Sequence, residues 1–200
     1  MCSRGFTTIK ILLAALALAL LGACGDSKQE AVKSPASSSS QSPPTGNVYE
    51  TVAAKAAGFQ VGNMMAARTV YVLFDAQCPH CAELWRASKP VLGQIRMVWI
   101  PIRLIADISA QQGAMILSAA DPAAEMDRHE QARSAGGKGL QPMGELPKEL
   151  MDKVRANTDL WVAIGGGAVP YLVYRNPSNG AGSAYEGATD TEGLKKLLGL

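Results

Sequence analysis

The sequence predicts a single α/β domain, and three observations carry that expectation. Residues 69–74 form a continuous β-branched and aromatic run, Thr-Val-Tyr-Val-Leu-Phe, of the kind that fills a buried central strand. A Cys78-Pro79-His80-Cys81 motif follows almost at once, where that strand should give way to a helix. Beyond it, strand-like runs and stretches with helical spacing alternate to the end of the chain.

Taken in order, a short alanine-rich helix is expected over 49–58, with Val52 and Ala56 at helical spacing, broken by Gly62-Asn63. The first strand ends at Asp75-Ala76-Gln77. A helix begins at the cysteine motif and runs towards Leu92, its far end bent by Pro90. Residues 95–104 read as a second buried strand. Residues 109–133 divide at Asp121-Pro122 into two helices, closed by Gly136-Gly137. A further helix starts at Leu146-Pro147-Lys148-Glu149, with proline in its first turn, runs towards Val162 and stops at Gly165-Gly166-Gly167. Residues 171–174 make a third strand directly after Val169-Pro170. A hairpin through Asn179-Gly180 leads to a short strand near Tyr185, and 191–198 form the last helix. No internal repeat appears. This is the order of a thioredoxin-like fold with a helical insertion between the second strand and the strand after Pro170.

The 200 residues suffice for one domain with a proper core. A net charge of +2 suggests neither a nucleic-acid surface nor a funnel for acidic substrates. At the N-terminus, Arg4 and Lys10 accompany an apolar run over 9–21, and Leu21-Gly22-Ala23-Cys24 follows. The apolar stretch over 11–23 is short of the roughly 20 residues that a membrane-spanning helix needs. It resembles a bacterial lipoprotein signal, which implies a signal over 1–23 and lipid on Cys24. Gly25 at the next position leans towards the outer membrane. Residues 24–47 are rich in Ser, Pro, Gln and Lys and read as a disordered tether for a globular domain over 48–200. Of four cysteines, Cys2 then leaves with the signal and Cys24 takes the lipid, so only Cys78 and Cys81 remain.

At a helix N-terminus the unpaired N–H groups and the helix dipole favour a thiolate at Cys78, and only the thiolate attacks a disulfide. Cys81 lies one turn further in, within reach to resolve a mixed disulfide. His80 can add positive charge or donate a hydrogen bond to the Cys78 sulfur, and Pro79 presets the first turn. Val169-Pro170 is either an ordinary strand-initiating proline or, if cis, a loop that presents the Val169 backbone beside the cysteines. No metal and no cofactor is expected. Structural zinc wants four ligands, and only His80 and His129 could join the pair. Ala82 after the second cysteine excludes haem attachment. His129, among Asp127, Arg128 and Glu130, reads as a solvated helix-face residue. Asp75 either caps the following helix or tunes the thiols. Val72, six positions before Cys78, leaves that strand without a buried acid. Trp85 and Trp161 read as core, and Met64-Met65 as filler or part of a peptide groove.

The blocks Val70-Tyr71-Val72, Phe74-Asp75, Cys78 to Cys81, Trp85 and Pro90, then Ala119 to Ala123, Gly136-Gly137-Lys138, Val169-Pro170 and Gly187, resemble the catalytic domain of the DsbC/DsbG family of periplasmic disulfide isomerases, nearer its DsbG branch. The resemblance covers about 69–198. It implies Cys78 as attacking thiol, Cys81 as resolving thiol, and a cis Pro170 facing them. It also implies cysteine-containing exported proteins as substrates, and a membrane thiol reductase of the DsbD type or a quinone-linked oxidase as redox partner. Three departures stand out. Only about 48–68 lies between tether and first strand, too little for the family's dimerisation domain, so a monomer is expected. Pro79-His80 is the dipeptide of the oxidant DsbA, and Val169 replaces the family's Thr. The last two lean towards a more oxidising couple, with the net direction left open. The competing expectation is a non-catalytic metal-binding or assembly lipoprotein that keeps the fold.

Overall fold

The computed structural model describes residues 47–200. The signal-like segment over 1–23, the lipidation candidate Cys24 and nearly all of the tether expected over 24–47 lie outside the described residues. The element order is α1 (Val48–Lys55), β1 (Phe59–Gly62), β2 (Thr69–Asp75), α2 (Pro79–Ser88) with a 3₁₀ turn (Lys89–Val91), and β3 (Arg96–Ile102). Then come α3 (Asp107–Ser118), α4 (Pro122–Ser134), α5 (Lys148–Ala163), β4 (Tyr171–Arg175), β5 (Gly182–Glu186) and α6 (Thr191–Leu198).

One five-stranded sheet runs β1-β3-β2-β4-β5. The central β2 and β3 are parallel, joined through α2, and every other pairing is antiparallel. The helical insertion α3–α5 lies between β3 and β4, as expected. Local chemistry fixes the helix starts. Asp121 caps α4 by accepting from Ala124 N at 3.0 Å, with Pro122 in the first turn. Asp190 caps α6 by accepting from Gly193 N at 2.7 Å.

Four aromatic rings, from β1, β2, α2 and β3, form the densest part of the core. Trp85 and Trp99 meet edge-on at 5.0 Å, with Phe74 and Phe59 completing the group. Trp85 and Trp161 are buried, and Gly166 lies flat on the Trp161 indole, where a Cβ would come within 2.1 Å of Nε1. A Cβ at Gly113 would come within 2.6 Å of Pro101 of β3, leaving no room for a side chain between α3 and the sheet.

Three expectations are corrected. The break at Gly62-Asn63 ends a strand, not a helix: β1 pairs with β3 from Phe59↔Trp99 to Gly62↔Arg96. With four residues and two buried side chains, it carries too little alternation to be told from a loop. Pro90 has no N–H to continue an α-helix, so α2 ends at Ser88 and the chain tightens into the 3₁₀ turn. Met64 and Met65, 52% and 91% exposed, fill no core. They follow Gly62, which pairs with Arg96 at the start of β3, while the cysteines lie beyond the other end of β2, so they join no groove around the cysteines.

Candidate active site

Asp75, the last residue of β2, sets up the turn into α2. Its backbone carbonyl accepts from Cys78 N at 3.0 Å, and Cys78 itself becomes the N-cap of α2. The Cys78 sulfur accepts the Cys81 N–H at 3.3 Å, taking the place that a Ser or Asp oxygen usually holds. It also lies 3.5 Å from the Val169 carbonyl oxygen, to which the thiol form donates. The Val169–Pro170 peptide bond is cis, and Gly187 N donates to the Pro170 carbonyl at 2.9 Å. Elements 91 residues apart in sequence thus meet at one sulfur.

The surroundings separate the two thiols. A hydrogen bond from the Cys81 thiol, together with the N–H groups of Cys81 and His80 and the His80 charge, outweighs burial and brings Cys78 down to about 7. Burial and the neighbouring Cys78 sulfur push Cys81 far up, so it stays protonated while Cys78 ionises. Cys78 is 3% exposed and Cys81 not at all. This asymmetry can support attack by one sulfur and resolution by the other. His80 plays a smaller part than its position suggests. Its exposed ring pairs with Glu83 at 2.9 Å, which raises its pKa, and the ring makes no hydrogen bond to Cys78.

Asp75 does not cap α2. Its buried carboxylate accepts from Gln77 N, Leu104 N, Ile105 N and Ser109 Oγ at 2.6–2.8 Å, binding the turn before Cys78 to the loop after β3. That loop leaves Leu104 and Ile105 half-exposed.

His129 is the clearest correction, being completely buried. Its Nε2–H donates to the Ala76 carbonyl at 2.7 Å, while Nδ1 accepts from Leu140 N at 3.2 Å. Arg133 adds bonds to the Ala76 and Gln77 carbonyls at 3.0 and 2.8 Å. The inserted helix α4 therefore braces the two residues just before Cys78. Glu130, next to His129, is also buried and was not singled out in the sequence. The signal was present: Glu125, Met126, His129 and Glu130 fall on one helical face, but their polarity made that face look wet. Among the described residues, no group of three or more His, Cys, Asp or Glu side chains is placed to hold a metal ion.

No protein-family model matches the chain. It is 29% identical over 140 residues to the thiol:disulfide interchange protein DsbG of Pseudomonas aeruginosa, covering 69% of this chain and 54% of that one. It is 27% identical over 133 residues to DsbG of Escherichia coli, covering 65% and 52%. The chain is DsbC/DsbG-like. It spans about half the length of the curated relatives it matches. Among solved structures, the DsbC/DsbG-like chain resembles the catalytic domain of Proteus mirabilis ScsC, with TM-score 0.59 and 17% identity over 75% of this chain and 92% of that one. A periplasmic thioredoxin-like protein from Salmonella enterica gives TM-score 0.59 at 15% identity, over 76% and 94%. Pseudomonas aeruginosa DsbA2 gives 0.55 at 21%, over 69% and 90%. At these identities the structures establish the thioredoxin-like fold of this DsbC/DsbG-like chain.

Proposed function

We propose that the chain is a thiol:disulfide interchange enzyme acting on cysteines of exported proteins. The observation that carries this reading is the Cys78 sulfur, which caps α2, accepts the Cys81 N–H at 3.3 Å and faces the Val169 carbonyl at 3.5 Å. In the forward direction the Cys78 thiolate attacks one sulfur of a substrate disulfide. The substrate S–S bond breaks, a Cys78–substrate disulfide forms, and the departing sulfur leaves as thiolate and takes a proton. Cys81 then loses its proton and attacks Cys78. This forms the Cys78–Cys81 disulfide and releases the second substrate thiol, so two electrons pass from enzyme to substrate. The reverse sequence oxidises a substrate dithiol. The Val169 backbone, at the start of β4, would align an extended substrate segment against the Cys78 sulfur.

The net direction belongs to the redox partner, either a membrane thiol reductase or a quinone-linked oxidase. The proposed setting is the periplasmic side of a bacterial membrane, reached through the signal-like segment over 1–23 and held by lipid on Cys24. Outer-membrane sorting is favoured by Gly25. The working unit is proposed to be a monomer.

A Cys81→Ala variant, with resolution removed, should accumulate disulfide-linked complexes with client proteins that vanish on reduction. A non-catalytic metal-binding or assembly lipoprotein would accumulate none.

A further inference from the structure

Glu130 is a buried acid that the exchange steps leave unused. It is 5% exposed, and its Oε1 is fully enclosed with no hydrogen-bond partner. A carboxylate held that way is costly, whereas the protonated acid is not. Its place in α4 is next to the residue that braces the turn before Cys78. The face of α4 that buries Glu130 also carries His129, bonded to the Ala76 carbonyl two residues before Cys78. Burial, with a smaller contribution from the Cys78 thiolate, raises Glu130 to about 7, where Cys78 also titrates. Two guanidinium groups pull the other way, Arg133 one turn on in α4 and Arg86 of α2.

The remaining neighbours do not supply a competing charge. Elsewhere on α4, Asp127 is paired with Lys89 and Glu125 with Arg128, and His129 is held neutral. β1, which packs against α4, brings no charged side chain, and the one charged residue of α3, Asp107, pairs with Arg103 at the surface.

We propose that Glu130 is a positioning residue sharing one negative charge with Cys78: the carboxyl keeps its proton while the sulfur is a thiolate and releases it when the sulfur enters a disulfide. The inference rests on the exchange reading above and deepens it. When the Cys78 thiolate bonds to a substrate sulfur, its charge leaves with the departing thiolate. The Glu130 proton then passes to solvent, and the departing sulfur takes a proton from solvent, so charge and protons balance. On the return step, reprotonation of Glu130 accompanies regeneration of the thiolate.

The test compares the fully reduced and Cys78–Cys81-oxidised forms of the whole protein with carboxyl-labelled glutamate. The Glu130 signal is assigned by its loss in E130Q, or by its displacement in E130D should E130Q not fold. The expected result is a Glu130 titration midpoint lower by at least about half a pH unit in the oxidised form, because a neighbouring charge has gone. In E130Q, the reduced-state thiolate titration of Cys78 should become a single-proton curve with its midpoint unchanged or lower. A Glu130 midpoint identical in the two redox forms would overturn the proposal, as would a carboxyl already ionised at pH 5 in both. A purely structural Glu130 would change stability without making its midpoint follow the sulfur. Because the Cys81→Ala trap reads client capture alone, exchange activity and charge sharing can fail separately.

Discussion

The sulfur at position 78 accepts an N–H from its own helix, which is why its place at the helix start could be read from sequence. A cysteine beginning a helix has nowhere else to point than the free N–H groups of the first turn, and the Cys78–Cys81 spacing puts one of them in reach. Alkylation of the reduced protein should therefore rise with pH about a midpoint near 7. At pH 5 it should run at roughly one hundredth of its plateau rate, since only the thiolate reacts. Iodoacetamide kinetics across pH 5–9 check this, and a midpoint near the ordinary 9.0 would contradict it. Sequence could not show how His80 divides its loyalties. Glu83, three residues on, sits on the same exposed helix face and takes the ring, so the His80 cation reaches Cys78 only through solvent-screened space. Nor was the fourfold use of Asp75 legible, because three of its donors, Leu104, Ile105 and Ser109, come from beyond β3.

At the level of elements, the strands and helices follow from local pattern, except where an element is too short to repeat its pattern or where polar residues face inward. β1 is the first case and α4 the second. The insertion turns out to support the site, since α4 reaches back through His129 and Arg133 to the carbonyls of Ala76 and Gln77. The His129 bonds fix its tautomer, with Nε2 carrying the proton and Nδ1 bare to receive Leu140 N–H. Protonating Nδ1 would break that second bond, and burial holds the His129 pKa below its ordinary 6.5. A base whose folded-state pKa is depressed adds stability above its unfolded pKa and loses it as pH falls. Resistance to urea should accordingly weaken from pH 6.5 downwards, with this residue contributing up to about 1.4 kcal/mol per pH unit. H129Q should be less stable at pH 7 but show a flatter acid dependence; equal acid slopes would refute the assignment. Gly139, at φ +77, belongs to the same device, since a Cβ there would strike the imidazole at 2.4 Å.

For the molecule as a whole, the thiol centre lies beyond one end of β2 and the chain leading towards Cys24 enters at α1, which packs on β4 and β5. If Cys24 is the lipid-bearing residue, C24S should move the protein from the membrane to the soluble fraction on cell fractionation. Its Cys78 alkylation profile should stay the same, because the described residues that tune the sulfur all come from 75 onwards. Membrane retention of C24S would sink the anchor. The complete burial of Cys81 also bears on how this molecule would meet hydrogen peroxide. Cys78 keeps 3% exposure and Cys81 none, so peroxide should meet Cys78 first, and a sulfenic acid formed there would have the Cys81 thiol behind it to expel water and close the ring. Such a centre would be shielded from the irreversible sulfinic rung of the oxidation ladder for as long as its inner thiol stays reduced.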